Sequence, residues 1–188
     1  MATRSARWQT TSRPNVSNNH DGLTTAIGIM AVAVILLLSS GIVGWWPGDN
    51  SAKDLMNSND ATLSGGAGYS TGVVGSAFDL PSPDASIQLP SAVVNGKGDV
   101  TLSLWLKTTD PVGAIISGAN ESVDNEYLLY IPARDQIEPY IKGQRFRVSA
   151  PNLHDGQYHH VVWARSELDV SHVYVDGALR GAGRAPAG

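Results

Sequence analysis

Val100-Thr-Leu-Ser-Leu-Trp-Leu-Lys107 alternates apolar and polar residues without a break. Successive side chains of an extended chain point to opposite faces. Val100, Leu102, Leu104 and Leu106 therefore line one face, and Thr101, Ser103, Trp105 and Lys107 the other. The pattern predicts a half-buried β-strand. Shorter runs of the same kind follow at Ala114-Ile-Ile-Ser117, Glu126-Tyr-Leu-Leu-Tyr-Ile131, residues 137–141, Arg145-Phe-Arg-Val148, residues 158–165 and His172-Val-Tyr-Val175. Between them stand Asp110-Pro111, Lys142-Gly143, Asp155-Gly156 and Asp176-Gly177, whose residue types favour turns. Val175-Asp-Gly-Ala178 reads as a two-residue hairpin, because Asp-Gly accepts the positive φ angles of a type I′ turn. No helical period of useful length occurs after Gly41. Many short strands at this spacing predict an all-β fold, an antiparallel β-sandwich of the jelly-roll kind.

The bulk numbers fit one such domain with a targeting segment, since 188 residues are too few for two comfortable cores. Charged residues make up only 16% of the chain, while Gly and Pro number 20 and 10, a composition that favours turns between short strands. The net charge is -4 and no Lys/Arg cluster stands outside the N-terminal tail, which argues against a nucleic-acid groove. There is no Cys, so thiol catalysis, Cys-ligated zinc and disulfides are excluded.

The N-terminal part reads differently. Residues 23–46 contain no charge, and Ala26-Ile-Gly-Ile-Met-Ala-Val-Ala-Val-Ile-Leu-Leu-Leu38 is almost wholly apolar. Some 20 helical residues at about 1.5 Å each cross a bilayer core of about 30 Å. Residues 23–41 are thus expected to form a transmembrane helix, preceded by a disordered cytoplasmic tail over 1–22 and followed by the β-domain over 42–188. Arg4, Arg7 and Arg13 precede the segment, so the positive-inside rule leaves the N-terminus in the cytoplasm and places the domain outside. Ser39-Ser40-Gly41 offers small residues to a signal peptidase, and a secreted protein starting near Ile42 is the alternative. The long leader and the length of the apolar run favour a retained single-pass anchor.

Several stretches carry a family likeness. Gly41-Ile-Val-Gly-Trp-Trp-Pro-Gly-Asp49, with Asn50-Ser-Ala-Lys-Asp54 and Asn59-Asp-Ala-Thr-Leu63 after it, resembles the opening of laminin-G-like domains of the concanavalin A-like lectin/glucanase type, found in many bacterial surface proteins. Gly72-Val-Val-Gly-Ser-Ala-Phe-Asp79 leading into Ser86-Ile-Gln-Leu89 is similar to the same family, as are residues 100–107, Asp155-Gly-Gln-Tyr-His-His-Val161 and Val173-Tyr-Val-Asp-Gly177. The resemblance implies two antiparallel sheets packed as a jelly roll. Family members usually continue beyond the Asp-Gly hairpin with further strands, whereas this sequence ends at Gly181-Ala-Gly-Arg-Ala-Pro-Ala-Gly188. It therefore also implies a sandwich incomplete at its C-terminus.

The glucanase branch carries Glu-x-Asp-x-x-Glu on one strand, since hydrolysis needs carboxylates converging on one cleft. The nearest match is Glu167-Leu-Asp-Val-Ser-His172, with His172 in the third position, so the chain is read as a non-enzyme with no catalytic residues. His159 and His160 are adjacent and face opposite sides of a strand, which suits structure better than shared metal ligation. Calcium suits the oxygen-rich loops, and Asp49, Asn50 and Asp54 are its candidate ligands, with Asp124 and Asn125 a second cluster. Both clusters are equally ordinary turn chemistry. One ring of Trp45 and Trp46 is expected to face the core, and Trp163 is most simply core. Trp105 shares its face with Thr101, Ser103 and Lys107, a polar and aromatic surface suited to stacking a sugar ring, so Trp105 and Lys107 are the candidate ligand-binding residues. The resulting expectation is a non-catalytic, membrane-anchored module that recognises carbohydrate or a surface protein. A glycoside hydrolase or fragment of one, and a structural spacer in a larger surface protein, are the alternatives.

Overall fold

The computed structural model describes residues 23–25, 34–38, 41–56, 58–94, 99–118, 127–141, 144–166 and 170–184. The first strands along the chain are β1 (Leu23–Thr25), β2 (Val34–Leu38), β3 (Gly41–Trp46), β4 (Thr62–Ser64), β5 (Gly68–Thr71), β6 (Ser76–Asp79) and β7 (Ser86–Leu89). A 3-10 turn, Ser91–Val93, leads on to β8 (Val100–Lys107), β9 (Gly113–Gly118), β10 (Tyr127–Ile131), β11 (Gln136–Ile141) and β12 (Gln144–Arg145). The last strands are β13 (Val148–Ser149), β14 (Tyr158–Arg165), β15 (Val170–Val175) and β16 (Ala178–Arg184).

β8 behaves as its alternation predicts. Val100, Leu102, Leu104 and Leu106 are at most 5% exposed, while the residues between them are half-buried. Burying each such Leu contributes roughly 2 kcal/mol, so register is fixed by which face must be dry. The strand sits inside a six-stranded sheet of order β16-β15-β14-β8-β2-β3. A second sheet has the order β12-β11-β10-β9, with β13 on β11, and β1-β7-β4 and β5-β6 form two smaller ones. Inward residues of the large sheet, such as Leu104, Val161, Trp163 and Val173, join Ile115, Leu129, Ile131 and Ile137 of the second in one apolar core. Sheet packed on sheet around a shared core is a β-sandwich.

The predicted Asp-Gly hairpin is present. Asp176 and Gly177 have φ angles of 53° and 76°, and Val175 pairs with Ala178, as a type I′ turn requires. The strand expected at Arg145-Phe-Arg-Val148 is instead divided between β12 and β13. Both pair with β11, on either side of Pro139, which has no N–H to give a neighbour and whose carbonyl accepts from Phe146 N. The turn at Lys142-Gly143 and residue Glu126 lie outside the described residues.

The transmembrane helix expected over 23–41 finds no support where the structure describes that segment, and residues 26–33 and 39–40 lie outside the described residues. Leu23–Thr25 pairs with β7, and Val34–Leu38 lies between β8 and β3. Among the described residues no helix is long and apolar enough to cross a membrane. The physical reason is that an unbroken apolar run satisfies a strand buried within a sheet as well as a helix in lipid, and periodicity cannot separate the two. Of the small residues read as a cleavage site, Gly41 has a structural use: it opens β3 with a φ of 130°, a conformation that favours glycine. The tail over 1–22 lies outside the described residues.

Candidate functional site

Antiparallel pairing of β8 with β14 sets Lys107 opposite Tyr158, Trp105 opposite His160 and Ser103 opposite Val162. Directly opposed residues share a face with Cβ atoms about 5 Å apart. The rings of Trp105 and His160 meet at 5.2 Å between centroids with a 35° tilt. His160 Nε2 lies 2.8 Å from Ser103 Oγ, which fixes the imidazole on that side. Lys107 Nζ stands 5.4 Å from the centre of the Tyr158 ring. Tyr158 is itself anchored, its hydroxyl donating to the Thr71 carbonyl at 2.7 Å. Burial, and then the charge of Asp79, push its pKa up to about 12, so it stays neutral in any ordinary medium.

β15 continues the surface. Tyr174 is opposite Val162 and His172 opposite Ala164, and their rings stack at 6.4 Å. The outward side of β8, β14 and β15 is thus a half-exposed platform of aromatic and imidazole rings with donors around it. A flat ring takes the apolar face of a sugar while neighbouring hydroxyl, imidazole and ammonium groups bond its oxygens, the combination that makes Trp and Tyr frequent in recognition surfaces.

His159 faces the other way and does structural work. Its Nδ1 is 2.8 Å from Asp176 Oδ2 and its Nε2 3.1 Å from Asp155 Oδ1. Burial alone would lower its pKa, but the hydrogen bonds to Asp176 and Asp155 outweigh it and the pKa is raised. Asp176 is lowered in turn: burial would raise it, and the bond to His159 and the His160 N–H overcome that. His159 thereby ties the Asp155-Gly156 turn to the Asp176-Gly177 hairpin. Asp176 Oδ1 also accepts from His160 N at 2.9 Å, so the same hairpin holds the backbone that presents His160 to Trp105.

The candidate calcium residues fall into two turn networks. Asp54 is buried, and its carboxylate accepts from the backbone N–H groups of Trp45, Met56 and Asn59. Asp49 accepts from Ser76 N at 2.8 Å, and Asn50 Nδ2 donates to Ser76 Oγ at 2.9 Å, pinning the β5-β6 hairpin. Among the described residues no three His, Asp or Glu side chains gather as a metal ion requires. Asp124, Asn125, Glu167 and Asp169 lie outside the described residues. Trp46 is 1% exposed with its indole N–H donating to the Asn59 carbonyl, and Trp163 is 3% exposed, both in the core as expected.

The structure brings Trp105 and Lys107 to one face but gives each a partner that sequence reasoning missed. His160 and Tyr158 lie far from Trp105 and Lys107 in sequence, and the register of β14 on β8 joins them. The available signal was the alternation Tyr158, His160, Val162 against His159, Val161, Trp163. A further cluster was also missed: on the second sheet Glu138, 2% exposed, accepts from Arg147 Nε at 2.7 Å and from the Tyr130 hydroxyl, with Arg145 at 3.7 Å. A lone Glu between Ile137 and Pro139 carries no local sign that Arg147, Arg145 and Tyr130 converge on it.

In fold the chain is similar to the binding domain of Paraclostridial Mosquitocidal Protein 1, with a TM-score of 0.55 and 14% identity, over 82% of this chain and 40% of that one. It is similar to the same degree to domain 4 of AbnA, a GH43 extracellular arabinanase from Geobacillus stearothermophilus, solved in complex with arabinotriose. There the TM-score is 0.54 at 14% identity, over 84% of this chain and 78% of that one. No curated protein matches it in sequence. The family model described as the concanavalin A-like lectin/glucanases superfamily matches residues 81–188, more than half of the chain, and the chain belongs to that superfamily.

Proposed function

We propose that this chain is a non-catalytic carbohydrate-binding domain whose ligand stacks on the outward face of β8, β14 and β15. The observation that carries the reading is Trp105, half-exposed on the outward face of β8, set against His160 and flanked by Ser103 and Lys107. The fold neighbour solved with arabinotriose supports it by analogy of fold. The non-catalytic part rests on the Glu167-x-Asp-x-x-His172 segment. Its third position is an imidazole stacked beside Tyr174, where the glucanase pattern needs a carboxylate.

The proposal includes action outside the cytoplasm, where polysaccharide is met. The fold neighbour from an extracellular arabinanase supports it by analogy of fold. A membrane anchor is not retained in it, since residues 34–38 cannot lie both between β8 and β3 and in a bilayer. Cell fractionation with N-terminal sequencing checks the location. The function itself is tested by calorimetric titration of the protein with a panel of oligosaccharides, comparing wild type with Trp105→Ala. Loss of about 1.4 kcal/mol or more, tenfold in affinity, is expected for the variant. Unchanged binding by the variant would place the ligand elsewhere, and release of reducing sugar by the wild type would overturn the non-catalytic reading.

A further inference from the structure

The same face has a charge pattern that the molecule as a whole lacks. The chain carries 17 Asp and Glu against 13 Lys and Arg. Among the described residues, however, no outward strand position on β8, β14, β15 or β16 is an acid. Asp79, beside Tyr158, and Asp176, in the hairpin, stand at its borders, and Glu167 and Asp169, between β14 and β15, lie outside the described residues. The ladder register orders the basic and ring-bearing residues along a diagonal. Lys107 is level with Tyr158, Trp105 with His160, Tyr174 with Val162 and His172 with Ala164. Arg184, exposed on β16 opposite Val170, completes the row. With strands about 4.8 Å apart and about 3.3 Å per residue, three strand steps and some eight residues place the two ends about 30 Å apart. Cations mark both ends and rings occupy the middle.

We infer that the ligand is an extended anionic saccharide, a polymer whose sugar rings stack on Trp105 and Tyr174 while its acid groups meet Lys107 and Arg184. This rests on the proposed carbohydrate function and names its ligand class. Charge complementarity is the argument. A neutral glycan needs the rings and the hydroxyl partners but gives no reason to clear carboxylates from the surface of an acidic protein, whereas a carboxylate or sulfate on the sugar does. The length of the stripe requires several sugar residues in a row.

The test uses the full chain in affinity electrophoresis and titration. The panel comprises a polyuronate, a sulfated glucan, neutral arabinan and dextran, and inorganic polyphosphate. Binding to an acidic polymer is expected to be at least about tenfold tighter than to the neutral ones, and to weaken several-fold as salt shortens the screening length from about 10 Å towards 3 Å. Lys107→Gln and Arg184→Gln are each expected to weaken it about threefold to tenfold. Comparison of the polyuronate with the sulfated glucan separates the two sources of charge. Equal, salt-insensitive binding of neutral and acidic polymers overturns this inference and leaves carbohydrate binding standing. Polyphosphate bound as tightly as the saccharides overturns sugar recognition in favour of charge alone. Binding untouched by Trp105→Ala and Lys107→Gln moves the site off this face, and no saccharide bound by the folded protein removes both readings.

Discussion

His159→Gln tests the clamp between the two Asp-Gly turns. Because the His159 pKa is raised above 6.5, the folded protein holds the imidazole proton more tightly than the unfolded chain does. The associated stability is fully present below pH 6.5 and is lost as pH rises through the folded value. Asp155 and Asp176 are lowered from 3.8, so their share is full above that value and lost as pH falls through their folded values. Asp155 owes its shift first to the Gln157 N–H and then to His159. The clamp is therefore strongest between about pH 4 and 6.5. A charge-assisted hydrogen bond is worth about 1.5–3 kcal/mol, but the Asp176 side chain is 45% exposed, and screening reduces that contact to about 1 kcal/mol. Thermal unfolding of wild type and His159→Gln at pH 5.5 and 8.5 should show the variant about 3 °C lower at the acidic pH, a size suited to a domain of this length. The gap should shrink by more than half at pH 8.5. Packing lost on substitution is the same at both pH values, so a gap that stays constant, or widens at pH 8.5, refutes the clamp.

Three other substitutions probe how the fold is held. Glu138→Ala removes the acceptor of Arg147 and Tyr130 and should cost about 2 kcal/mol in urea unfolding, the half-exposed Arg147 finding water in exchange. The Tyr130 phenol, held up first by burial and then by Glu138, should titrate lower in that variant when followed by near-ultraviolet absorbance. Asp54→Ala strips the acceptor from three backbone N–H groups and should cost about 1–3 kcal/mol, with faster hydrogen exchange at Trp45 and Met56 but not in β14. Gly183→Ala would set a Cβ 2.4 Å from Phe146 Cγ, so a loss of about 1–3 kcal/mol in thermal unfolding is expected.

The sheet architecture was legible because its evidence is local. The alternation of residues 100–107, the Asp-Gly turn and the run 158–165 each state their own face or their own φ angles, and β8, β14 and the hairpin follow them residue for residue. The strands at 23–25 and 34–38 were not legible because an apolar run suits a strand inside a sheet as well as a helix in lipid, and only pairing with β7, β3 and β8 tells the two apart. The division at Pro139 was unread because it depends on which strand lies beside β11. Half of the candidate site was legible for the same reason: Trp105 and Lys107 announce their face within one strand. Their partners His160 and Tyr158 are more than fifty residues away, and the ladder register that joins them is a tertiary fact.

Trp105 and Trp163 put this distinction on one sheet. They stand on neighbouring strands in the same ladder, where Trp163 opposes Leu102 and Trp105 opposes His160, yet they face opposite sides. Trp163 is 3% exposed and belongs to the shared core; Trp105 is half-buried beside an imidazole. Trp163→Ala empties a close-packed space and is expected to cost about 3–5 kcal/mol. Trp105→Ala leaves a surface that water refills and should cost under about 1 kcal/mol while abolishing most of the ligand affinity. A fold can afford such a face because the strand's inward residues fix its position independently of what the outward ones are. If Trp105→Ala unfolds the protein as readily as Trp163→Ala, the outward face is covered by the chain itself and is not a surface on which a polysaccharide could lie.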